Sequence, residues 1–225
     1  LNEQLRTLSG IHDIGEAEFT GTLLADGRVL LAGGLNEYAT VLDSAEFYNP
    51  TDGSFTPEAG AMISPRAGHT STPLPNGTYL LAGGRNSAGS LNSAEIFDPA
   101  TSAFSPLPVS MAASRSGHTA TVLQNGLVLL AGGTNASGPI DAELFDPVSS
   151  TFMPTASSML KARSRHTATL LRDGTVLIVG GVGADGNPVA ENEIYDPITR
   201  TFGGTLRLSC TVTDAAMNTA LGAAR

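Results

Sequence analysis

The chain of 225 residues contains one cysteine, one lysine and no tryptophan, and these shortages exclude several classes of protein. The single cysteine, Cys210, excludes an intrachain disulfide framework and a zinc site built on cysteine pairs. Lysine and arginine together number 12 against 21 acidic residues, which gives a formal net charge of −9. A surface that follows a phosphate backbone is basic, so nucleic acid is not expected as a partner.

Long apolar runs are also missing, and no stretch approaches the roughly 18 consecutive apolar residues of a membrane span. The sequence contains no Gly-x-Ser-x-Gly elbow, no His-Glu-x-x-His pair and no nucleotide-binding glycine fingerprint. We therefore expect no membrane span, no cofactor and no metal. Nothing in the sequence indicates catalysis.

What the chain does contain is a repeat in four copies, spaced by 48 to 50 residues. Each copy has an apolar run that ends in two glycines, followed by an Asn-Pro or Asp-Pro turn and by a phenylalanine five residues after the proline. In the last three copies Arg-x-x-His lies upstream, whereas Glu16 and Phe19 occupy these positions in the first copy. The repeated positions are Gly33, Gly34, Gly83, Gly84, Gly132, Gly133, Gly180 and Gly181; His69, His118 and His166; and Phe55, Phe104, Phe152 and Phe202.

The pattern within each copy is typical of short β-strands. Thr-rich apolar segments, such as Thr119–Leu123, run into Asn-Gly or Asp-Gly dipeptides at 26–27, 76–77, 125–126 and 173–174. These dipeptides accept positive φ at both turn centres and predict two-residue hairpin turns. With two further strands, one on each side of the Asn-Pro or Asp-Pro turn, each copy is predicted to be a four-stranded antiparallel meander.

Tandem units of this size and strand number are typical of β-propeller blades. The double glycine, the spaced aromatic residues and the Asp-Pro turn resemble the kelch motif. The Arg-x-x-His-Thr sequence is similar to that of bacterial kelch proteins related to the galactose oxidase central domain. The resemblance covers about residues 16 to 202, with phenylalanine where the family usually has tryptophan. It implies an all-β kelch-type β-propeller and favours an extracellular or cell-surface location.

The resemblance also predicts how the single domain is divided. Four blades are expected at approximately 16–62, 63–111, 112–159 and 160–202. Residues 1–15 are expected to form a strand of a preceding blade, and residues 203–225 an irregular C-terminal segment. Kelch propellers resemble one another in closing with six or seven blades, so we expect an incomplete ring whose open edges can self-associate.

The repeated histidines and arginines admit functional and structural interpretations. Histidines near a propeller axis could bind a metal, but a residue repeated in each blade is expected to serve the repeat, here by a hydrogen bond to a neighbouring backbone carbonyl. The arginines either point into the axial opening and bind a carboxylate or a sugar, or pair internally with the glutamate of the repeated Ala-Glu. The arginines are Arg66, Arg115 and Arg163, and the glutamates are Glu95, Glu143 and Glu193.

The loops between the second and third strands differ between copies and are the other candidate binding surface. The candidate contact residues in these loops are Asn36, Glu37, Tyr38, Arg85, Asn86, Asn135 and Asp185. The sequence thus predicts a non-catalytic scaffold that binds a protein or a glycan through its loop face. Two alternatives stay open, a carbohydrate-active enzyme with its site at the axial opening and a structural spacer of a larger surface protein.

Overall fold

The computed structural model describes residues 18–57 and 60–204, and the regular secondary structure of these ranges is entirely β-strand. Four antiparallel sheets of four strands each follow one another along the chain, and we call them units 1 to 4. Unit 1 contains β1 (Thr20–Leu23), β2 (Val29–Ala32), β3 (Ala45–Asn49) and β4 (Ser54–Pro57). Unit 2 contains β5 (Thr70–Pro73), β6 (Tyr79–Ala82), β9 (Ala94–Asp98) and β10 (Ala103–Pro106).

The last two units repeat this arrangement. Unit 3 contains β11 (Thr119–Val122), β12 (Val128–Ala131), β15 (Glu143–Asp146) and β16 (Thr151–Pro154). Unit 4 contains β17 (Thr167–Leu170), β18 (Val176–Val179), β19 (Glu193–Asp196) and β20 (Thr201–Gly203). Each strand pairs with the next in its unit, which confirms the predicted four-stranded meander.

Two loops between second and third strands contain small hairpins that the sequence did not predict. In unit 2 these are β7 (Arg85–Asn86) and β8 (Gly89–Ser90), and in unit 3 they are β13 (Thr134–Asn135) and β14 (Gly138–Pro139). In units 1 and 4 single bridges, Leu35 to Val41 and Val182 to Pro188, hold the corresponding loops together. The loop face is therefore hydrogen-bonded in all four units.

The hairpin turns after the first strands differ from the predicted two-residue type. The amide of Leu24 donates to the carbonyl oxygen of Arg28 at 2.8 Å, and the amide of Gly27 donates to that of Leu24 at 3.0 Å. Three residues therefore form the loop, and only the glycine has positive φ, at 89°. The side chain of Asp26 accepts a hydrogen bond from the amide of Arg28 at 3.0 Å. Asp26 itself does not have the positive φ that the predicted two-residue turn would require. The other three units share this hydrogen-bond pattern, which matches a type I turn followed by a bulge at glycine.

The apolar core lies between units, because the sheets of units 2 and 3 each bury one face against the unit before and the other against the unit after. The second strands of units 2 and 3 are buried at all four positions, whereas those of units 1 and 4 alternate between buried and half-buried. Leu30 and Ala32 of unit 1 pack with Tyr79 and Leu81 of unit 2, and two equivalent clusters join the later units. Stability thus depends on neighbouring units as well as on each sheet.

The first strands of successive units are neighbours, with β1 beside β5, β5 beside β11 and β11 beside β17. They form the inner edge of the assembly, as expected for a propeller. The third and fourth strands of each unit carry a pair of aromatic rings whose centroids lie 4.8 to 4.9 Å apart. Phe104 and Phe202 of these pairs are buried in the clusters between units, which explains the fixed position of the phenylalanine in the repeat.

The two glycines of each pair have different roles. A Cβ added to Gly83 would lie 2.5 Å from the carbonyl oxygen of Arg115 in the next unit, and Gly33 and Gly132 are covered in the same way. The second glycine lies against the histidine of its own unit, since a Cβ added to Gly84 would lie 2.9 Å from Cβ of His69. A Cβ on Gly180 would meet no described atom within 4 Å. The described units therefore form an arc with an open face at unit 4.

The predicted blade limits stay predictions. The strand expected at residues 1–15, the positions Glu16 and Cys210, and residues 205–225 lie outside the described residues.

Candidate functional site

The residue before the histidine position has a left-handed backbone in all four units, with φ between 46° and 63°. These residues are Glu18, Gly68, Gly117 and Arg165. The amide of Gly68 donates to the carbonyl oxygen of Glu18 at 2.9 Å, that of Gly117 to Gly68 at 3.0 Å, and that of Arg165 to Gly117 at 2.7 Å. The backbones of these four residues thus form a row of hydrogen bonds that runs from unit to unit, two residues before each first strand begins. We call this row the axial ladder.

A cavity of about 310 Å³ lies over the axial ladder, and we call it the axial mouth. Arg85, Ser116 and Thr134 complete its lining. A Cβ on Gly68 would lie 3.1 Å from Oε2 of Glu18, and one on Gly117 would lie 3.4 Å from Cγ of Arg165. Charged side chains from the outer units therefore lie over glycines of the inner units, and these glycines keep the space open.

The charges in the axial mouth are only partly compensated. Nη2 of Arg85 donates to Oε1 of Glu18 at 3.0 Å, in an ion pair that is partly exposed. Arg165 is exposed and has no ion-pair partner within residues 18–57 and 60–204. The mouth therefore presents one uncompensated guanidinium, a group whose planar fork of donors fits a carboxylate.

Sequence reasoning identified Arg85 but missed Glu18 and Arg165. The signal was present, because both residues occupy a position that is glycine in units 2 and 3. A charged residue that replaces a repeated glycine departs from the requirements of the fold, and such a departure is a sign of a separate role.

The repeated arginines, for which a ligand-binding and an internal ion-pair interpretation were open, do not line the axial mouth. Arg66, Arg115 and Arg163 are at most 1% exposed. Nη2 of Arg66 lies 2.5 Å from Oε1 of Glu95, and the other two pair with Glu143 and Glu193. Nη1 of Arg66 donates to the carbonyl oxygen of Gly83 at 2.7 Å. The internal ion pair is thus the interpretation that the contacts support.

The glutamate of each pair also holds the segment that leads into its unit. Glu95 accepts from the amides of Ile63 at 2.7 Å and Ser64 at 3.0 Å, in addition to Arg66. Glu143 and Glu193 accept from the equivalent amides of their units. Burial lowers the pKa of Arg115, and the negative charge of Glu143 counteracts this effect. The network satisfies buried charge with several hydrogen bonds, as a buried ion pair requires.

The histidines link neighbouring units through threonine hydroxyls, not through the backbone carbonyl that was expected. Nε2 of His118 lies 3.0 Å from Oγ1 of Thr70, and His69 and His166 contact Thr20 and Thr119 at 2.9 Å. The threonine that begins each first strand is the partner because that strand lies directly beside the next unit's histidine. In the described residues no group of three or more His, Cys, Asp or Glu side chains could hold a metal ion.

Burial keeps these histidines neutral. Burial and the charge of Arg66 lower the pKa of His69 to about 3. Burial and the charge of Arg163 lower the pKa of His166 to about 4. Burial and the charge of Arg115 lower the pKa of His118 well below its ordinary value.

Most of the predicted loop residues shape their own loops. Oδ1 of Asn36 accepts from the amides of Tyr38 and Thr40 at 2.9 Å, and Oδ1 of Asp185 accepts from that of Asn187 at 3.0 Å. Asn86 and Asn135 accept from the amide two residues later in the same way. Tyr38 and Glu37 are exposed at the loop tip, and a hydrogen bond from Tyr38 to Glu37 raises the pKa of Tyr38. Tyr38 is the exposed aromatic side chain of this face among the described residues, with 79% of its surface accessible.

A larger cavity, of about 560 Å³, lies within unit 3 between the fourth strand and the segment that leads into the unit. Ala112 and Ala113 line it, at positions occupied by Ile63-Ser64 in unit 2 and Leu160-Lys161 in unit 4. Of its charged lining residues, Arg115 and Glu143 are paired with each other, and Oδ1 of Asp141 accepts from the amides of Ala142 and Met159.

Comparison with known families agrees with the geometry. The model of the kelch motif matches residues 65–108, which extend from just before Arg66 through β10. A search of curated proteins finds no match. The architecture defines an all-β repeat protein of the propeller type. Residues 65–108 thus contain a kelch motif, and units 3 and 4 repeat the Arg–Glu and His–Thr contacts of the matched unit. The described part of the chain contains no helix of the length and apolarity needed to cross a membrane.

Proposed function

We propose that this kelch-repeat scaffold is non-catalytic and binds a protein partner through its loop face, the side formed by the loops between second and third strands. The observation that carries the proposal is Tyr38, a largely exposed aromatic side chain on a loop tip that Asn36 holds in place. Tyrosine supplies a large contact area at a low cost in side-chain entropy and is enriched where proteins bind each other.

The remainder of the loop face supports the same proposal. The scaffold residues are nearly identical between units, whereas the loops differ in sequence and are fixed by bridges, small hairpins and side-chain caps. Binding residues are commonly placed on loops that a rigid scaffold positions. Fixed loops lose little conformational freedom when a partner binds.

A photo-crosslinking experiment tests the proposal. A crosslinking amino acid is placed at position 38 and, as the matched control, at Val148, which is even more exposed and lies in the turn between the third and fourth strands of unit 3, away from the loop face. We expect one protein partner to be captured from position 38 only, and Tyr38→Ala to abolish its binding while Val148→Ala does not. Equal capture from both positions, or unchanged binding by Tyr38→Ala, would overturn the proposal.

A glycan array probed with the same variants separates the two ligand classes. Glycan binding that depends on Tyr38, without a protein partner, would also overturn the proposal and would favour a lectin-like role.

A further inference from the structure

Arg165 combines a strained backbone with a charge that no residue of 18–57 or 60–204 pairs with. Its φ of 55° lies in the left-handed region, which costs an L-residue about 1–2 kcal/mol and which glycine adopts freely. The same position is Gly68 in unit 2 and Gly117 in unit 3, where φ is 63°. Strained residues that persist in a fold are often found at binding sites. The fold thus accepts glycine here, and the arginine is retained despite the strain.

The surroundings of Arg165 define the chemistry of a ligand. The axial mouth already contains a neutral ion pair, Glu18 with Arg85, so that Arg165 supplies its net positive charge. Ser116 and Thr134, which carry hydroxyl groups, line the same space. A singly charged carboxylate can pair with Arg165, whereas a phosphate dianion would place additional negative charge beside Glu18. The volume of about 310 Å³ is sufficient for a carboxylate side chain.

We propose that the axial mouth binds a carboxylate side chain of a protein partner, with Arg165 as the residue that pairs with it. The inference rests on the proposed function, because the carboxylate belongs to the protein partner proposed there. Tyr38 and Arg165 then contribute different contacts, since Tyr38 supplies apolar area at a loop tip and Arg165 supplies charge at the inner edge.

The chain offers a matched control for Arg165. Arg200 is also an exposed arginine of unit 4 with a left-handed backbone, at φ 60°, but it lies in the turn between the third and fourth strands. Arg165→Gly and Arg200→Gly each remove one positive charge and relieve the same backbone strain. Neither variant is expected to lower the unfolding midpoint. A difference in affinity between Arg165→Gly and Arg200→Gly would therefore come from the axial mouth and not from a loss of folding.

The test uses an acetylated tetra-glutamate peptide, with tetra-glutamine as the uncharged control, in about 0.15 M salt, where charges more than about 8 Å apart are largely screened. Binding is followed by the NMR shifts of the Gly68 and Gly117 amides. We expect the unaltered protein and Arg200→Gly to bind tetra-glutamate equally, Arg165→Gly to bind it at least ten-fold more weakly, and tetra-glutamine not to bind.

Three results would overturn the inference: equal affinities of the two glycine variants, equal binding of the two peptides, or binding of an oligogalacturonate but not of tetra-glutamate. Its failure is distinguishable from that of the proposed function. If a protein partner is captured through Tyr38 but binds Arg165→Gly unchanged, the loop-face function stands and the carboxylate site does not.

Discussion

The carbonyl oxygen of Arg163 occupies the space that a Cβ atom on Gly132 would need, so that unit 4 permits no side chain at this position of unit 3. Gly180 is the corresponding residue of unit 4, and a Cβ there would meet no described atom within 4 Å. Both glycines have positive φ, 62° and 70°. They therefore share the same backbone requirement but differ in whether a neighbouring unit covers them.

Gly180→Ala and Gly132→Ala separate these two requirements. We expect Gly180→Ala to lower the free energy of unfolding by about 1–2 kcal/mol, the cost of a left-handed backbone. Gly132→Ala adds the displacement of unit 4, a further cost of about 1–3 kcal/mol. Urea unfolding at one pH measures both. Equal losses for the two variants would show that the contact between units contributes nothing.

The bond between His118 and Thr70 predicts a second difference. Thr70→Val keeps the shape of the side chain but leaves Nε2 of a buried histidine without its partner, at a cost of about 1–3 kcal/mol. Thr167→Val is the matched control, because Thr167 is exposed and its hydroxyl makes only a long bond of 3.4 Å to the carbonyl oxygen of Val179. The control should change unfolding free energy by less than about 0.5 kcal/mol. A similar loss in both variants would argue against the histidine link.

Replacement of Arg66 tests the role of the buried ion pairs. Arg66→Met leaves the carboxylate of Glu95 buried without its cation and should lower the free energy of unfolding by about 3–5 kcal/mol. Lys161→Met, which removes an exposed ion pair with Glu191, should cost no more than about 1 kcal/mol. Thermal and urea unfolding compare the two. An Arg66→Met protein of unchanged stability would return these arginines to the list of candidate ligand-binding residues.

The histidines predict a loss of stability in mild acid. The pKa of His69 is about 3 and that of His166 about 4 in the folded chain, against about 6.5 when unfolded. The unfolded chain therefore binds more protons below pH 6.5, so the stabilising contribution is complete above that pH and is lost as the pH falls towards 4. Each histidine contributes a slope of about 1.4 kcal/mol per pH unit in this range.

Urea unfolding between pH 7.5 and pH 5 measures the slope, and His118→Asn should reduce it by about 1.4 kcal/mol per pH unit. The imidazole Cε1 proton signals of the folded protein offer an independent check, since they should not shift above pH 5. A histidine that titrates near pH 6.5 in the folded protein would contradict the prediction.

The strand pattern was accessible from the sequence because it depends on local features. Thr-rich runs, Gly-Gly pairs and the fixed phenylalanine recur in register, so the four-stranded units followed directly. The turn type did not follow, because an Asp-Gly dipeptide such as Asp26-Gly27 fits both a two-residue turn and a three-residue loop with a bulge. The hydrogen bonds of Leu24 and Arg28, not the dipeptide, decide between them.

Contacts between units were harder to foresee than those within a unit. A repeat shows that His118 recurs, but not that its partner is Thr70, 48 residues earlier, since this depends on how adjacent sheets pack. Of the two interpretations of the repeated arginines, the internal ion pair agrees with the structure. It could be derived from the sequence because a glutamate recurs in the same three units. The axial opening was among the predicted sites, but Arg165 was not, because it occupies a position that is glycine in units 2 and 3 and so is not part of the repeat.

The axial ladder has a consequence for how the chain responds to damage. In the described residues, each hydrogen bond of the axial ladder connects one unit to the next, and so does each threonine–histidine link and each apolar cluster. Cooperativity in such a linear array is passed from one unit to the next. Damage to one described unit is therefore expected to weaken first the units beside it, and a loss in unit 2 or unit 3 would separate Glu18 from Arg165.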